Sequence, residues 1–158
     1  MCGVIVLHPQ TEQAQEQIGR ALAQVCAGNG LIFLKGDLGA GKTTFARGFL
    51  RGMGHTGSVK SPTYTLIEPY EINGNHCYHL DLYRLADPDE LEFLGIRDLL
   101  EGNAVLLVEW PEQGGDALPA PDLLVTIQYQ DEGRELSIEA KSTRGVRLLD
   151  ELRIQLAA

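Results

Sequence analysis

The stretch Gly36-Asp37-Leu38-Gly39-Ala40-Gly41-Lys42-Thr43 meets the pattern G-x-x-x-x-G-K-[ST] at every fixed position. Glycines so placed let the backbone curl until successive N–H groups converge, making a cradle for phosphate oxygens. The Lys42 ammonium then reaches the β- and γ-phosphates, and the Thr43 hydroxyl is placed to ligate Mg²⁺. The flanks agree with the loop. Leu31-Ile32-Phe33-Leu34 has the apolar run of a short buried strand, and Phe45, Ala46, Phe49, Leu50 and Met53 recur at helical spacing. Phosphates bound here would sit on a helix N-terminus, where unpaired N–H groups and the macrodipole favour an anion. The pattern predicts a site for a nucleoside triphosphate rather than an ordinary glycine-rich turn.

A chain of 158 residues suits one domain, 1–158, with a sizeable core, and 44% hydrophobic with 22% charged residues describes a soluble globular protein. A formal charge of −9 excludes unaided, non-specific binding to nucleic acid, which needs a basic surface. RNA, if involved, is expected to be held by a partner. Cys2, Cys26 and Cys77 are odd in number and lack metal-ligand spacing, so they are expected to be idle thiols in a reducing compartment. No apolar run approaches the roughly 18 residues of a membrane span. Val4 to Leu7 is too short for the apolar region of a signal peptide.

Working outward, Gly3 to Leu7 reads as a strand. Thr11 N-caps a helix with apolar positions Ala14, Ile18, Ala21, Leu22 and Val25, stopped by Gly28-Asn29-Gly30. Beyond the loop helix, Thr63–Tyr70 and His76–Tyr83 are expected to be strands of a hairpin turned by Asn73-Gly74. On the second of them His79 and Asp81 share a face. Asp87-Pro88-Asp89-Glu90 starts a helix, with Asp87 as N-cap, Pro88 first and Glu90 third; Gly95 breaks it before a second one ending near Leu100. Ala104–Val108 is an uninterrupted apolar strand ending at Glu109-Trp110-Pro111. A linker, 114–121, leads to a half-wet hairpin and a closing helix from about Thr143 to Leu156.

A phosphate loop needs an acidic residue at the end of a neighbouring strand, to hold Mg²⁺ directly or through water. Glu109 and Asp81 are the candidates. Against them stand a solvated strand end for Glu109, and a salt bridge to Arg84 or a loop cap for Asp81. His79 beside Asp81 is either a satisfied strand histidine or a catalytic group; Trp110, the only tryptophan and next to Glu109, reads first as core or interface packing. Hydroxyls of the Ser61-Pro62-Thr63 turn are placed to sense a γ-phosphate as a switch loop does. The chain lacks an Asn-Lys-x-Asp guanine signature and an arginine-rich lid, which argues against a small GTPase and against a small-molecule kinase. A kinase remains the alternative enzyme reading, and an assembly module with incidental hydrolysis the non-enzyme one.

GDLGAGKTT at 36–44, SPTYTL at 61–66, HLDLYRL at 79–85, ELEFLGIRD at 90–98 and LVEWPE at 107–112 occur in that order. Together they resemble the bacterial TsaE (YjeE) family, the ATPase component of tRNA threonylcarbamoyladenosine biosynthesis. The resemblance implies an α/β, three-layer P-loop NTPase domain with a central mixed, largely parallel sheet. It further implies a cytoplasmic protein, monomeric alone, with weak Mg²⁺-dependent ATPase activity. Such a protein acts with TsaD and TsaB, which modify adenosine 37, and meets tRNA only through them; its hydrolysis is thought to reset the assembly. Carried onto this chain, Gly39, Ala40, Gly41, Lys42, Thr43 and Thr44 bind ATP, while Thr43 and Glu109 hold Mg²⁺. Lys42, Asp81 and Glu109 form the catalytic surroundings. Thr11 or Gln13, with Arg134, are the candidates for the adenine side.

Overall fold

The computed structural model describes residues 3–37 and 39–157; Cys2 and Leu38, named above, lie outside the described residues. The strands are β1 (Val4–Leu7), β2 (Gly30–Lys35), β3 (Ile67–Ile72), β4 (Asn75–Asp81), β5 (Ala104–Glu109), β6 (Leu123–Tyr129) and β7 (Arg134–Ala140). The helices are α1 (Glu12–Cys26), α2 (Lys42–Met53), α3 (Asp89–Phe93), α4 (Ile96–Glu101) and α5 (Thr143–Ala157), with a 3₁₀ segment at Pro111–Ala117.

The strands form one sheet in the order β1-β7-β6-β2-β5-β4-β3. The four central strands, β6, β2, β5 and β4, pair in parallel, and antiparallel strands extend both flanks. The sheet is therefore mixed as expected, but its parallel part is the centre only: among the described residues three pairs are parallel and three antiparallel. Helices α1, α2 and α5 bury Ile32, Leu34, Leu107, Val125 and Ile138 on one face. On the other face α3, α4 and the segment after β5 close over Leu31, Leu80, Leu106 and Val108. β5 is buried along its whole length, which accounts for its unbroken apolar sequence.

Several local signals act as the sequence indicates. The Thr11 hydroxyl accepts from Ala14 N at 3.0 Å and starts α1. Asn73 and Gly74 both take positive φ (52° and 84°), the twist a two-residue hairpin needs. The Asp87 carboxylate accepts from Asp89 N (2.9 Å) and Glu90 reaches back to Asp87 N (3.2 Å), a reciprocal box around Pro88, whose φ of −53° is already helical.

Three stretches differ from expectation. Residues 63–66 form turns, not strand, because Leu66 N donates back to the Pro62 carbonyl at 2.9 Å and Leu66 itself takes φ 68°. β4 ends at Asp81, whose carboxylate accepts from Tyr83 N and turns the chain out of the sheet. Much of the expected linker is ordered: Pro111 opens the 3₁₀ turns that run to Ala117.

Helices α1 and α2 meet backbone to backbone. A Cβ on Gly48 would stand 2.2 Å from the Glu16 carbonyl oxygen, and one on Gly19 would stand 2.4 Å from that of Phe45. Their contact brings the N-terminal part of α1 beside the start of α2.

Candidate functional site

The glycine-rich loop leaves the C-terminal end of β2 and enters α2 at Lys42. Gly41 takes φ 112°, a backbone conformation in which a side chain is strained and glycine is not, and a Cβ there would also displace the Gln15 amide. Two side chains brace the loop from outside. Gln15 on α1 donates to the Gly41 carbonyl at 2.7 Å, and Arg134 Nε at the start of β7 donates to the Ala40 carbonyl at 2.9 Å. The Arg134 guanidinium also lies 4.4 Å above the Tyr129 ring.

Lys42 is buried. Its ammonium donates to the Gly36 carbonyl and, at 3.2 Å, to that of Asp37, and sits 4.4 Å from the centre of the Trp110 ring. Burial pushes its pKa below the ordinary lysine value, and the carboxylates of Glu109, Asp81 and Asp37 push back. Trp110 holds this position through a left-handed backbone (φ 56°), rare for a bulky side chain, and Tyr83 packs on it with ring centres 4.9 Å apart.

Asp81 and Glu109 are register partners on β4 and β5, so the parallel pairing sets both carboxylates level at the strand ends. Desolvation raises the Asp81 pKa above the usual carboxylate value; the Tyr83 amide opposes this and the neighbouring Glu109 adds to it. Glu109 is held from behind: the His79 imidazole places Nε2 2.6 Å from Glu109 Oε2, its N–H donating to the carboxylate. Arg84 lies over the Tyr64 ring at 4.7 Å, while the Asp81 carboxylate accepts from the Tyr83 amide at 3.0 Å.

Two cavities flank the loop and share Gly39, Gly41 and Thr44. The one of about 260 Å³ gathers Lys42, Thr43, Thr63, Asp81, Glu109 and Trp110. The other, about 220 Å³, lies between α1 and the β6–β7 hairpin and is lined by Thr11, Gln15, Ala40 and Arg134 among others. The structure thus brings the expected residues to one loop, on two sides of it. Gln13 lines neither cavity and is exposed; Gln15, two residues on, faces inward instead. Gln15 was unread in the sequence, although a polar residue three before Ile18 on the apolar stripe of α1 was the available signal.

The donor set fits a nucleoside triphosphate with Mg²⁺. The loop offers an ammonium and a helix start for phosphate, and Thr43, Asp81 and Glu109 offer the hard oxygens Mg²⁺ takes alongside phosphate oxygens.

A seven-stranded mixed sheet flanked by helices, with a glycine-rich loop at the end of β2 faced by two carboxylates, defines an α/β protein whose candidate site lies at the ends of its parallel strands. More closely, the model of the family described as threonylcarbamoyl adenosine biosynthesis protein TsaE matches residues 9–137, and the chain belongs to this family. It is similar to the tRNA threonylcarbamoyladenosine biosynthesis protein TsaE of Haemophilus influenzae, 53% identical over 119 residues, 75% of each chain. The protein of that name in Bacillus subtilis is 37% identical over 147 residues, 92% of this chain and 90% of that one. The crystal structure of Bacillus subtilis YdiB superposes with a TM-score of 0.85 at 31% identity, covering 98% of this chain and 97% of that one. The resemblance read from the five sequence motifs is correct. Among the described residues no helix is long and apolar enough to cross a membrane.

Proposed function

We propose that the chain is a single-domain, Mg²⁺-dependent ATPase of threonylcarbamoyladenosine biosynthesis, working in the cytoplasm with TsaD and TsaB and resetting that assembly between turnovers. The observation that carries the reading is the register of Asp81 with Glu109 beside Lys42 and Thr43. The loop amides and Lys42 hold the β- and γ-phosphates; to do so the ammonium exchanges the Gly36 and Asp37 carbonyls for phosphate oxygens. Thr43 and Glu109 hold the metal. Bound Mg²⁺ supplies neutralisation of charge on the transferring phosphoryl oxygens. Asp81 orients the attacking water or transmits the γ-phosphate state to the Ser61–Thr63 turn, whose two hydroxyls are bonded to each other at 2.7 Å. Thr11 and Arg134, which line the second cavity, would contact the adenine side of ATP.

The surroundings of Lys42 support weak activity alone. Among the described residues no arginine lines the cavity that holds it. A missing arginine finger costs about 10³–10⁵ in rate. A partner supplying that charge ties hydrolysis to assembly. With a net charge of −9, this chain, monomeric alone, meets tRNA only through the partners.

Steady-state ATP hydrolysis with and without TsaD and TsaB, together with pull-downs in the ATP and ADP states, tests the proposal. Turnover should rise with the partners, and the ATP state should be retained more strongly. A rate unchanged by the partners, with retention indifferent to nucleotide, would contradict it.

A further inference from the structure

We infer that His79 is a positioning residue that fixes the metal-side carboxylate of Glu109 from the buried side of the sheet. The inference rests on the Mg²⁺–nucleotide reading above and adds to it the group that orients the ligand. His79 lies on β4 two residues before Asp81, on the same face, and its register partner on β5 is Leu107, two residues before Glu109. It is therefore a diagonal neighbour of Glu109, within reach of a long side chain across a strand pair. The 2.6 Å contact uses that diagonal.

Three observations separate this from an ordinary core histidine. His79 is 0% exposed, and its other nitrogen, Nδ1, has no hydrogen-bond partner among the described residues. A leucine or methionine would fill comparable space without stranding a buried nitrogen, so packing alone does not account for an imidazole here. Next, Glu109 lines the cavity around Lys42 whereas His79 does not, so the imidazole grips the carboxylate from the side away from the ligand. Finally, the backbone of Glu109 is already fixed, its carbonyl accepting from Leu82 N at 3.0 Å, and the chain turns away at Trp110. What remains free is the side-chain torsion of Glu109, and the His79 bond removes that freedom. Asp81 is held in the parallel way by the Tyr83 amide, so each carboxylate at the strand ends has one dedicated tether. Partners that orient a metal ligand commonly change metal affinity or activity about 10–100-fold when removed.

The experiment is calorimetric titration of ATP at a series of Mg²⁺ concentrations and in EDTA, on the native chain and on His79→Leu, His79→Asn and His79→Gln, each checked for native circular dichroism. His79→Leu and His79→Asn should raise the Mg²⁺ midpoint about 10–100-fold while leaving metal-free affinity unchanged. His79→Gln, whose amide nitrogen falls where Nε2 stood, should return the midpoint toward native. The Asn and Gln pair carries the test if the leucine variant does not fold. An unchanged midpoint in the Leu and Asn variants, or an equal shift in Asn and Gln, would overturn the role of His79. A native chain whose ATP binding ignores Mg²⁺ would instead overturn the reading on which the inference rests.

Discussion

Gly48→Ala places a single methyl group in the contact between α1 and α2. The new Cβ would stand 2.2 Å from the Glu16 carbonyl oxygen and 2.6 Å from Glu16 Cα, both backbone, so no side chain can swing aside to admit it. Ordinary contact begins at 3.4 Å, and the shortfall from 2.2 Å asks the helices to part by about 1.2 Å. Phe45 and Phe49, fully buried on α2, hold that helix on the sheet and resist the movement. Overpacking of this kind costs about 1–3 kcal/mol. Alanine recovers up to about 1 kcal/mol of helix propensity over glycine. A 2.2 Å contact with backbone that cannot move aside puts the overpacking cost at the upper end of that range, so the net is a loss of about 1–2 kcal/mol, which in a chain of this size lowers the melting temperature by roughly 2–8 °C. The same displacement reaches the loop, since α1 carries Gln15 to the Gly41 carbonyl and α2 begins at Lys42. Stabilisation by Mg²⁺–ATP should therefore shrink along with intrinsic stability. Thermal melts of native and Gly48→Ala protein, with and without Mg²⁺–ATP, measure both. A variant melting at or above the native temperature, as propensity alone dictates, would refute the packing argument.

The two strand-end carboxylates should separate by role: Glu109→Ala shifts the Mg²⁺ requirement of nucleotide binding, whereas Asp81→Ala keeps binding and loses turnover. Equal loss of binding in both, measured by titration, would merge them into one metal site. Cys26 and Cys77 are buried and free, and desolvation pushes the Cys26 thiol up to about 12 and that of Cys77 in the same direction. The unfolded chain therefore loses these protons first as pH passes the ordinary thiol value of 9.0. Stability is full below that value and declines above it, by up to about 1.4 kcal/mol per pH unit for each thiol. Urea unfolding between pH 8 and 10 should show this slope, shallower in Cys77→Ala; an identical slope in that variant would contradict it.

What was legible in the sequence is what short-range chemistry dictates. The strand, loop and helix around Lys42, the Asn73-Gly74 hairpin and the Asp87–Glu90 helix start each rest on contacts within a few residues, and each is present. Residues 63–66 misled because Thr and Tyr favour strands, while a return hydrogen bond to Pro62 and the strained Leu66 decide the conformation. The site was legible in its residue types but not in its ties. Nothing in local pattern says that β4 and β5 pair with Asp81 opposite Glu109, which is a consequence of sheet order. The bond from His79 to Glu109 and the grip of Gln15 on Gly41 likewise span 30 and 26 residues. Both depend on packing that one-dimensional spacing does not carry.

The claim on which everything else depends is that the loop at 36–43 binds nucleoside triphosphate through Lys42. Calorimetric titration of ATP into the native chain and into Lys42→Ala, each with and without Mg²⁺, measures it directly. The native chain should bind saturably and more tightly with Mg²⁺, and Lys42→Ala should show no saturable binding, because among the described residues no other lysine lines the cavity beside the loop. Native affinity in Lys42→Ala would contradict the account at its centre.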